Sequence, residues 1–135
     1  MLLATEEGAR KHVMPSPLIY VVDDQASFTT VSEAVLREAG FRFKTFLNPN
    51  EAFGAFSSAR KKPDILIADY GMEYMNGLEL TQRCQSLHPT LKTILVSGAV
   101  DSETIPNFPF HVDRFLHKPI TVDGLLNAIS EVLNS

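Results

Sequence analysis

Five short apolar runs alternate with helical patterns along this chain, and that alternation constrains its fold more than any other feature. The runs are LIYVV (18–22), FRFKTF (41–46), DILIAD (64–69), LKTILVSG (91–98) and VDRFLHKP (112–119). Their lengths are typical of strands, and strands that alternate with helices form a parallel sheet with helices on both faces. The second run alternates apolar and polar residues, which favours an edge strand with one wetter face. The sequence therefore predicts an α/β fold.

The helical patterns between the runs carry start signals and apolar stripes. Asn48 and Asn76 are each followed by a glutamate three residues later, which predicts an N-cap at both positions. Residues 25–39 carry an apolar stripe at helical spacing. Its members are Phe28, Val31, Val35 and Ala39. The last helical pattern, near 122–133, has the clearest apolar face.

Residues 101–110 form the weakest of the helical segments. Pro106 and Pro109 each lack an amide donor and disfavour helical geometry in the preceding residue. An interior helix proline costs about 3 kcal/mol, more than two or three marginal turns provide. We therefore expect at most one or two turns near Asp101 to Ile105, followed by an irregular loop.

The length and charge of the chain restrict its function. Its 135 residues suit one domain, which we place at 17–135, after a poorly ordered extension at 1–16. A net charge of −4 argues against direct nucleic-acid binding. No apolar run approaches the roughly 20 residues of a membrane span. The single cysteine, Cys84, cannot form an internal disulfide, which fits a reducing, cytoplasmic setting.

Charged and polar side chains follow four of the predicted strands at their carboxyl ends. The first strand ends in Asp23 and Asp24, the third in Asp69, the fourth in Ser97 and the fifth in Lys118. In an open parallel sheet, ligands bind beyond those ends. Acids also favour helix N-termini, so Asp23 and Asp24 alone could cap the helix that follows. Three carboxylates, a hydroxyl and an ammonium at one rim predict a binding site instead.

The charges at this rim decide what it can bind. Two ionised carboxylates about 5 Å apart repel by roughly 3 kcal/mol at an effective dielectric near 20. Three acids therefore either raise one another's pKa or bind a cation. Oxygen ligands on an open rim favour Mg²⁺ first and Mn²⁺ second. With a metal in place the rim attracts a phosphoryl group, whose oxygens Lys118 and Ser97 can contact.

Four motifs occur in an order and at a spacing that resemble the receiver domain of bacterial two-component response regulators. They are VVDDQ, ILIADYGMEYMNG, ILVSGA and FLHKP, and the resemblance runs from about Leu18 to the C-terminus. It implies a five-stranded sheet of order 2-1-3-4-5 in which Asp69 accepts a phosphoryl group. The donor would be the phosphohistidine of a sensor histidine kinase or of a phosphotransfer protein. A downstream protein target, which the sequence does not identify, would read the result.

The same resemblance implies a set of metal ligands. Asp24 would bind Mg²⁺ directly and Asp23 mainly through water. Asp69 would contribute a carboxylate oxygen, and Gly71 would offer its backbone carbonyl.

The resemblance also implies a set of phosphoryl-binding and switch residues. Ser97 resembles the switch hydroxyl, Lys118 the phosphoryl-binding lysine, and Phe115 the aromatic that changes rotamer on activation. The Lys118–Pro119 bond resembles the family's cis peptide bond. Such a domain catalyses only its own phosphoryl transfer and dephosphorylation, so we do not expect an enzyme with turnover.

Two alternatives remain open. A degenerate receiver would serve only as a phosphorylation-independent protein-binding module. Two departures from the family's pattern favour this alternative, namely Glu73, which replaces the usual proline after Met72, and the prolines Pro106 and Pro109. A phosphatase of the haloacid-dehalogenase type also uses an aspartate nucleophile, Mg²⁺, a hydroxyl and a lysine. That family has D-x-D after its first strand and a cap over the substrate, whereas this chain has adjacent aspartates and no room for a cap.

Overall fold

A wholly parallel sheet of five strands in the order β2-β1-β3-β4-β5 runs through the centre of the molecule. The computed structural model describes residues 16–98 and 111–135. Its strands are β1 (Leu18–Val22), β2 (Arg42–Phe46), β3 (Ile65–Asp69), β4 (Lys92–Ser97) and β5 (Arg114–His117). The predicted α/β fold and the strand order 2-1-3-4-5 are both confirmed.

Four helices pack against the sheet within the described residues. They are α1 (Ala26–Glu38), α2 (Pro49–Ser58), α3 (Gly77–Leu87) and α4 (Val122–Leu133). The predicted N-caps are confirmed, because the Asn48 side chain accepts from the amides of Asn50 and Glu51, and the Asn76 side chain accepts from Glu79. No helix in these parts of the chain combines the length and the apolar character that a membrane crossing requires.

Two predicted segments fall largely outside the described residues. The turns near 101–105 and the irregular loop that follows them lie in the gap between 98 and 111. The extension at 1–16 is described only at Ser16, whose carbonyl accepts a hydrogen bond from Arg42 Nε at 3.0 Å. Both stay predictions.

The core has two layers, because alternate residues of a strand point to opposite faces of the sheet. On one face Val21 packs with Leu36 of α1 and Ile129 of α4. On the other face Tyr20 packs with Phe56 of α2, and α3 covers the rest of that side. All five residues of β3 are buried, whereas no residue of β2 is, so β2 is the wetter edge strand that its alternating pattern predicted.

Helix α1 differs from the stripe that its sequence predicts. Its buried residues are Thr29, Ser32 and Leu36, and Val31 is 56% exposed. The predicted stripe was therefore wrong at Val31 and at Ala39, which is also exposed, because the face of α1 that is buried carries Thr29, Ser32 and Leu36. The Thr29 hydroxyl also satisfies its own hydrogen-bonding need by donating to the Ala26 carbonyl at 3.1 Å. Val31 lines a groove of about 500 Å³ between α1 and α4.

The connection from β3 to α3 brings the helix start against the strand end. The Gly77 amide donates to the Tyr70 carbonyl at 3.0 Å. A Cβ atom on Gly77 would lie 2.2 Å from the Asp69 carbonyl oxygen and 2.7 Å from its carbon, which no side chain could tolerate without moving the backbone. Glycine at this position therefore allows the start of α3 to lie directly against the backbone of Asp69.

Gly77→Ala should lower the free energy of unfolding by about 2 kcal/mol, because overpacking against a backbone carbonyl forces the helix away from the strand. Gly54→Ala is the matched control, since Gly54 lies inside α2 and a Cβ atom added there would meet no neighbouring atom within 4 Å. That change should raise the free energy of unfolding by about 0.5–1 kcal/mol through helix propensity. Urea denaturation measures both, and equal stability of Gly77→Ala and wild type would contradict the close approach.

Candidate functional site

Three acids meet at the carboxyl edge of the sheet. Asp23, Asp24 and Asp69 each place one carboxylate oxygen within 4.8 Å of the others. Asp23 is fully buried, Asp69 is 6% exposed, and Asp24 is exposed to solvent. The structure thus brings together the three carboxylates that the sequence places at the carboxyl ends of the first and third strands.

Strand pairing explains why these acids converge. β1 and β3 are neighbours, so the residues that follow Val22 and Ala68 emerge side by side. The Asp23 amide donates to the Phe46 carbonyl of β2 at 3.1 Å, which holds the end of β1 in the sheet. The acids do not cap α1 in the usual way. Its N-cap residue is Gln25, which makes no side-chain capping bond, and the Asp23 carboxylate accepts the Gln25 amide at 2.9 Å.

Lys118 joins two of the acids. Its Nζ atom lies 3.0 Å from Asp23 Oδ2 and 3.0 Å from Asp69 Oδ1, and a quarter of its side chain is exposed. The backbone amide of Lys118 donates to the Ser97 carbonyl at 3.0 Å, which fixes the lysine beside the end of β4. The ammonium also stands 5.3 Å from the centre of the Phe28 ring, a cation–π contact. The predicted cis bond between Lys118 and Pro119 is present.

Burial and neighbouring charges have opposite effects on the pKa values of Asp23 and Lys118. Burial raises the pKa of Asp23 above its ordinary value, and the hydrogen bonds from the Gln25 amide and from Lys118 offset that rise only in part. For Lys118, burial alone would lower the pKa, but the hydrogen bonds to Asp23 and Asp69 and their negative charges outweigh it, so its pKa is raised. The lysine is therefore a fixed positive charge at neutral pH, placed between two carboxylates.

Ser97 and Phe115 stand on the next two strands. Ser97 is the last residue of β4 and is 7% exposed, and the residue before it pairs with Asp69 in the sheet register. Phe115 lies in β5, half buried, and packs in a small cluster with Leu78 and Leu95. Ser97 therefore lies at the carboxyl edge of the sheet, where the acids lie, and Phe115 lies on the neighbouring strand β5. Their switch roles stay predictions.

The loop after β3 is tied to the acids through its backbone. The Gly71 amide donates to Asp69 Oδ2 at 3.1 Å, and the Glu73 amide donates to Asp24 Oδ2 at 3.2 Å. Glu73 itself is exposed, and its carboxylate does not belong to the acid cluster found in the described residues. A proline at this position would have no amide to donate. This hydrogen bond was not predicted from the sequence, although the absence of proline at position 73 was the signal that could have revealed it.

The chain matches the family model of the response regulator receiver domain over residues 19–130 and belongs to that family. It is 30% identical over 122 residues to the DNA-binding transcriptional regulator NtrC of Salmonella typhimurium, covering 90% of this chain and 26% of that protein. It is 25% identical over 119 residues to the autoinducer 1 sensor kinase/phosphatase LuxN of Vibrio harveyi, covering 88% of this chain and 14% of that protein. The chain thus spans about a quarter or less of these relatives.

Solved structures agree with the fold. A response regulator receiver domain protein from Clostridium thermocellum superposes with a TM-score of 0.80 at 23% identity, covering 87% of this chain and 94% of that one. A response regulator receiver protein from Pseudomonas putida gives a TM-score of 0.76 at 26% identity, covering 87% of this chain and 98% of that one.

Lys118→Met should lower the free energy of unfolding by about 2–3 kcal/mol, because it leaves Asp23 buried without a counter-charge. Adding Asp23→Asn should recover part of that loss, and the double-mutant cycle measures how strongly the two groups are coupled. Arg83→Met is the matched control, since it breaks an exposed ion pair with Glu79 and should cost less than about 0.5 kcal/mol. Equal effects of the lysine and arginine changes would contradict the burial argument.

Proposed function

We propose that this chain is a phosphoacceptor receiver in a two-component signalling system, with Asp69 as the acceptor and Mg²⁺ as its cofactor. The observation that carries the proposal is the position of Lys118, whose ammonium lies 3.0 Å from both Asp23 and Asp69 inside a cluster of three acids. The donor is the phosphohistidine of a sensor histidine kinase or of a phosphotransfer protein.

The residues at the rim fit a divalent cation. When all three acids are ionised, three carboxylates and one ammonium leave two negative charges, which a divalent cation balances. The ligands are hard oxygens, and the exposure of Asp24 leaves room for the waters that Mg²⁺ retains. Asp23, Asp24, Asp69 and the carbonyl of Gly71 would hold Mg²⁺, and Mn²⁺ suits the same ligands. The bound ion supplies positive charge that offsets repulsion between the carboxylates and an incoming phosphoryl group.

The chain's own residues position the acceptor and balance its charge. An Asp69 oxygen forms the new bond to phosphorus while the bond from phosphorus to the donor's imidazole nitrogen breaks, and the electron pair stays on that nitrogen. The Gly71 amide and Lys118 each hold one oxygen of Asp69, so the carboxylate is oriented before the donor arrives. Lys118 then supplies a positively charged side chain to the transferred phosphoryl oxygens, and the Ser97 hydroxyl is the donor from the adjacent strand.

The output is a change in protein contacts. Ser97 and Phe115 lie on the two strands that lead from the site to the edge of the sheet, and we infer that they relay phosphorylation to a downstream protein target. We do not propose direct nucleic-acid binding by this chain, because its net charge is −4. The chemistry is limited to its own phosphorylation and dephosphorylation, in the cytoplasm.

Asp69→Asn should abolish labelling by acetyl phosphate and Mg²⁺, because the amide is not a nucleophile. Intact mass spectrometry should show one added acid-labile phosphoryl group on wild type and none on the variant. Retained labelling of Asp69→Asn would place the acceptor elsewhere. Continuous phosphate release by wild type would indicate a phosphatase, and no labelling of wild type would indicate a phosphorylation-independent binding module.

Mg²⁺ should raise the melting temperature of wild type, because a ligand that binds only the folded state stabilises it, by about 2.7 kcal/mol at a hundred times its Kd. Asp24→Asn should remove most of this shift, while its amide oxygen can still accept the Glu73 amide. Without metal the variant should melt at or slightly above wild type, because one like charge has left the cluster.

Glu38→Gln is the control for this experiment, since it removes an equal charge at the far end of α1 and should leave the Mg²⁺ shift intact. A metal-free Asp24→Asn protein that melts well below wild type would show that charge repulsion is not what the cation relieves.

A further inference from the structure

Tyr74, in the loop that follows Asp69, has a backbone conformation that bulky residues rarely adopt. Its φ is +73°, and among the described residues it is the only non-glycine with a positive φ. The Met75 amide donates to the Glu73 carbonyl at 2.8 Å across it. This hydrogen bond and a φ of that sign define the rare and strained form of the γ-turn. A large side chain at a positive φ makes the strain greater.

The turn is held in place on both sides. Met72 and Met75 are 8% and 4% exposed and pack into the core cluster below α2 and α3. Between them, the Glu73 amide is hydrogen-bonded to Asp24 at 3.2 Å. Tyr74 cannot relax its backbone without withdrawing a methionine from the core or breaking that hydrogen bond. Such over-determined strain is found at functional sites.

The ring of Tyr74 contributes little to the stability of the fold. Tyr74 is 82% exposed, more than any other large hydrophobic residue among those described. Asparagine or glycine would adopt this turn with less strain, so the tyrosine is not explained by stability. An exposed aromatic on a turn whose backbone is fixed is instead well suited to protein recognition, because little backbone freedom is lost when it binds.

We propose that Tyr74 is a specificity-determining docking residue for the phosphodonor protein, which inserts the ring into an apolar patch beside its phosphohistidine. This proposal rests on the proposed function above. The position favours the phosphodonor over other partners, since Tyr74 follows directly after the residue whose amide binds Asp24. A protein that brings a phosphohistidine to Asp69 must cover this rim, whereas a small phosphodonor reaches the carboxylate without touching the ring.

The experiment compares two phosphodonors on four proteins. Transmitter fragments of the source organism's histidine kinases are loaded from ATP, offered in turn to the wild-type chain, and the fastest donor is kept as the protein probe. Acetyl phosphate is the small probe. The variants are Tyr74→Asn, which removes the ring and suits the turn, Tyr74→Phe, which keeps the ring, and Leu87→Ala, which trims a half-exposed apolar residue at the far end of α3. Wild type is the fourth protein.

Tyr74→Asn should require about tenfold more transmitter for half-maximal transfer, which corresponds to about 1.4 kcal/mol, with little change in the maximal rate. Its labelling by acetyl phosphate should stay within twofold of wild type, and its urea midpoint should equal or exceed that of wild type. Tyr74→Phe and Leu87→Ala should transfer like wild type. A purely structural role for Tyr74 would instead move the urea midpoint and both donors together.

Three results with the Tyr74→Asn variant would overturn the docking role. They are unchanged half-saturation for Tyr74→Asn, a fall in its urea midpoint, or a faster loss of the phosphoryl group with normal transfer, which would make the ring a shield. Labelling of wild type by acetyl phosphate but by no transmitter would also overturn it. Failure of the proposed function looks different, because wild type would then not be labelled by acetyl phosphate either.

Discussion

One ammonium group shared by two buried carboxylates holds this site together. Lys118 follows β5, Asp23 follows β1 and Asp69 ends β3, so a single pair of contacts links the ends of three strands. Without the lysine, Asp23 would be a fully buried charge without its cation partner, which strongly disfavours folding. The acids can lie close together because Lys118 supplies a positive charge between them. That lysine follows β5, which is an edge strand of the sheet.

Much of this arrangement was predictable because the sequence patterns that specify strands also specify where the strands end. Apolar runs such as 65–69 mark a buried strand, and the polar residue that terminates each run falls on one rim in a parallel sheet. Asn48 and Asn76 also correctly predicted where their helices begin, because an N-cap depends on local hydrogen bonds alone.

The features that were missed depend on tertiary distances. Val31 looks like a core residue from spacing, but the buried face of α1 carries the polar residues Thr29 and Ser32 beside Leu36, and an apolar pattern does not reveal such a face. The hydrogen bond from Glu73 to Asp24 comes from a backbone amide that every residue but proline has, so no side-chain pattern announces it. The requirement for glycine at Gly77 likewise comes from the carbonyl of Asp69, on the strand before it.

The separation of Lys118 from Asp23 along the chain has a consequence for how the protein is made. The two residues lie 95 positions apart, so a growing chain leaves the ribosome with its acids long before their counter-charge exists. Local helices form in microseconds, but this contact must wait for the last strand to add to the sheet. Completion of this site therefore coincides with completion of the sheet, and a partly synthesised chain that lacks β5 does not have the contacts between Lys118 and the two acids.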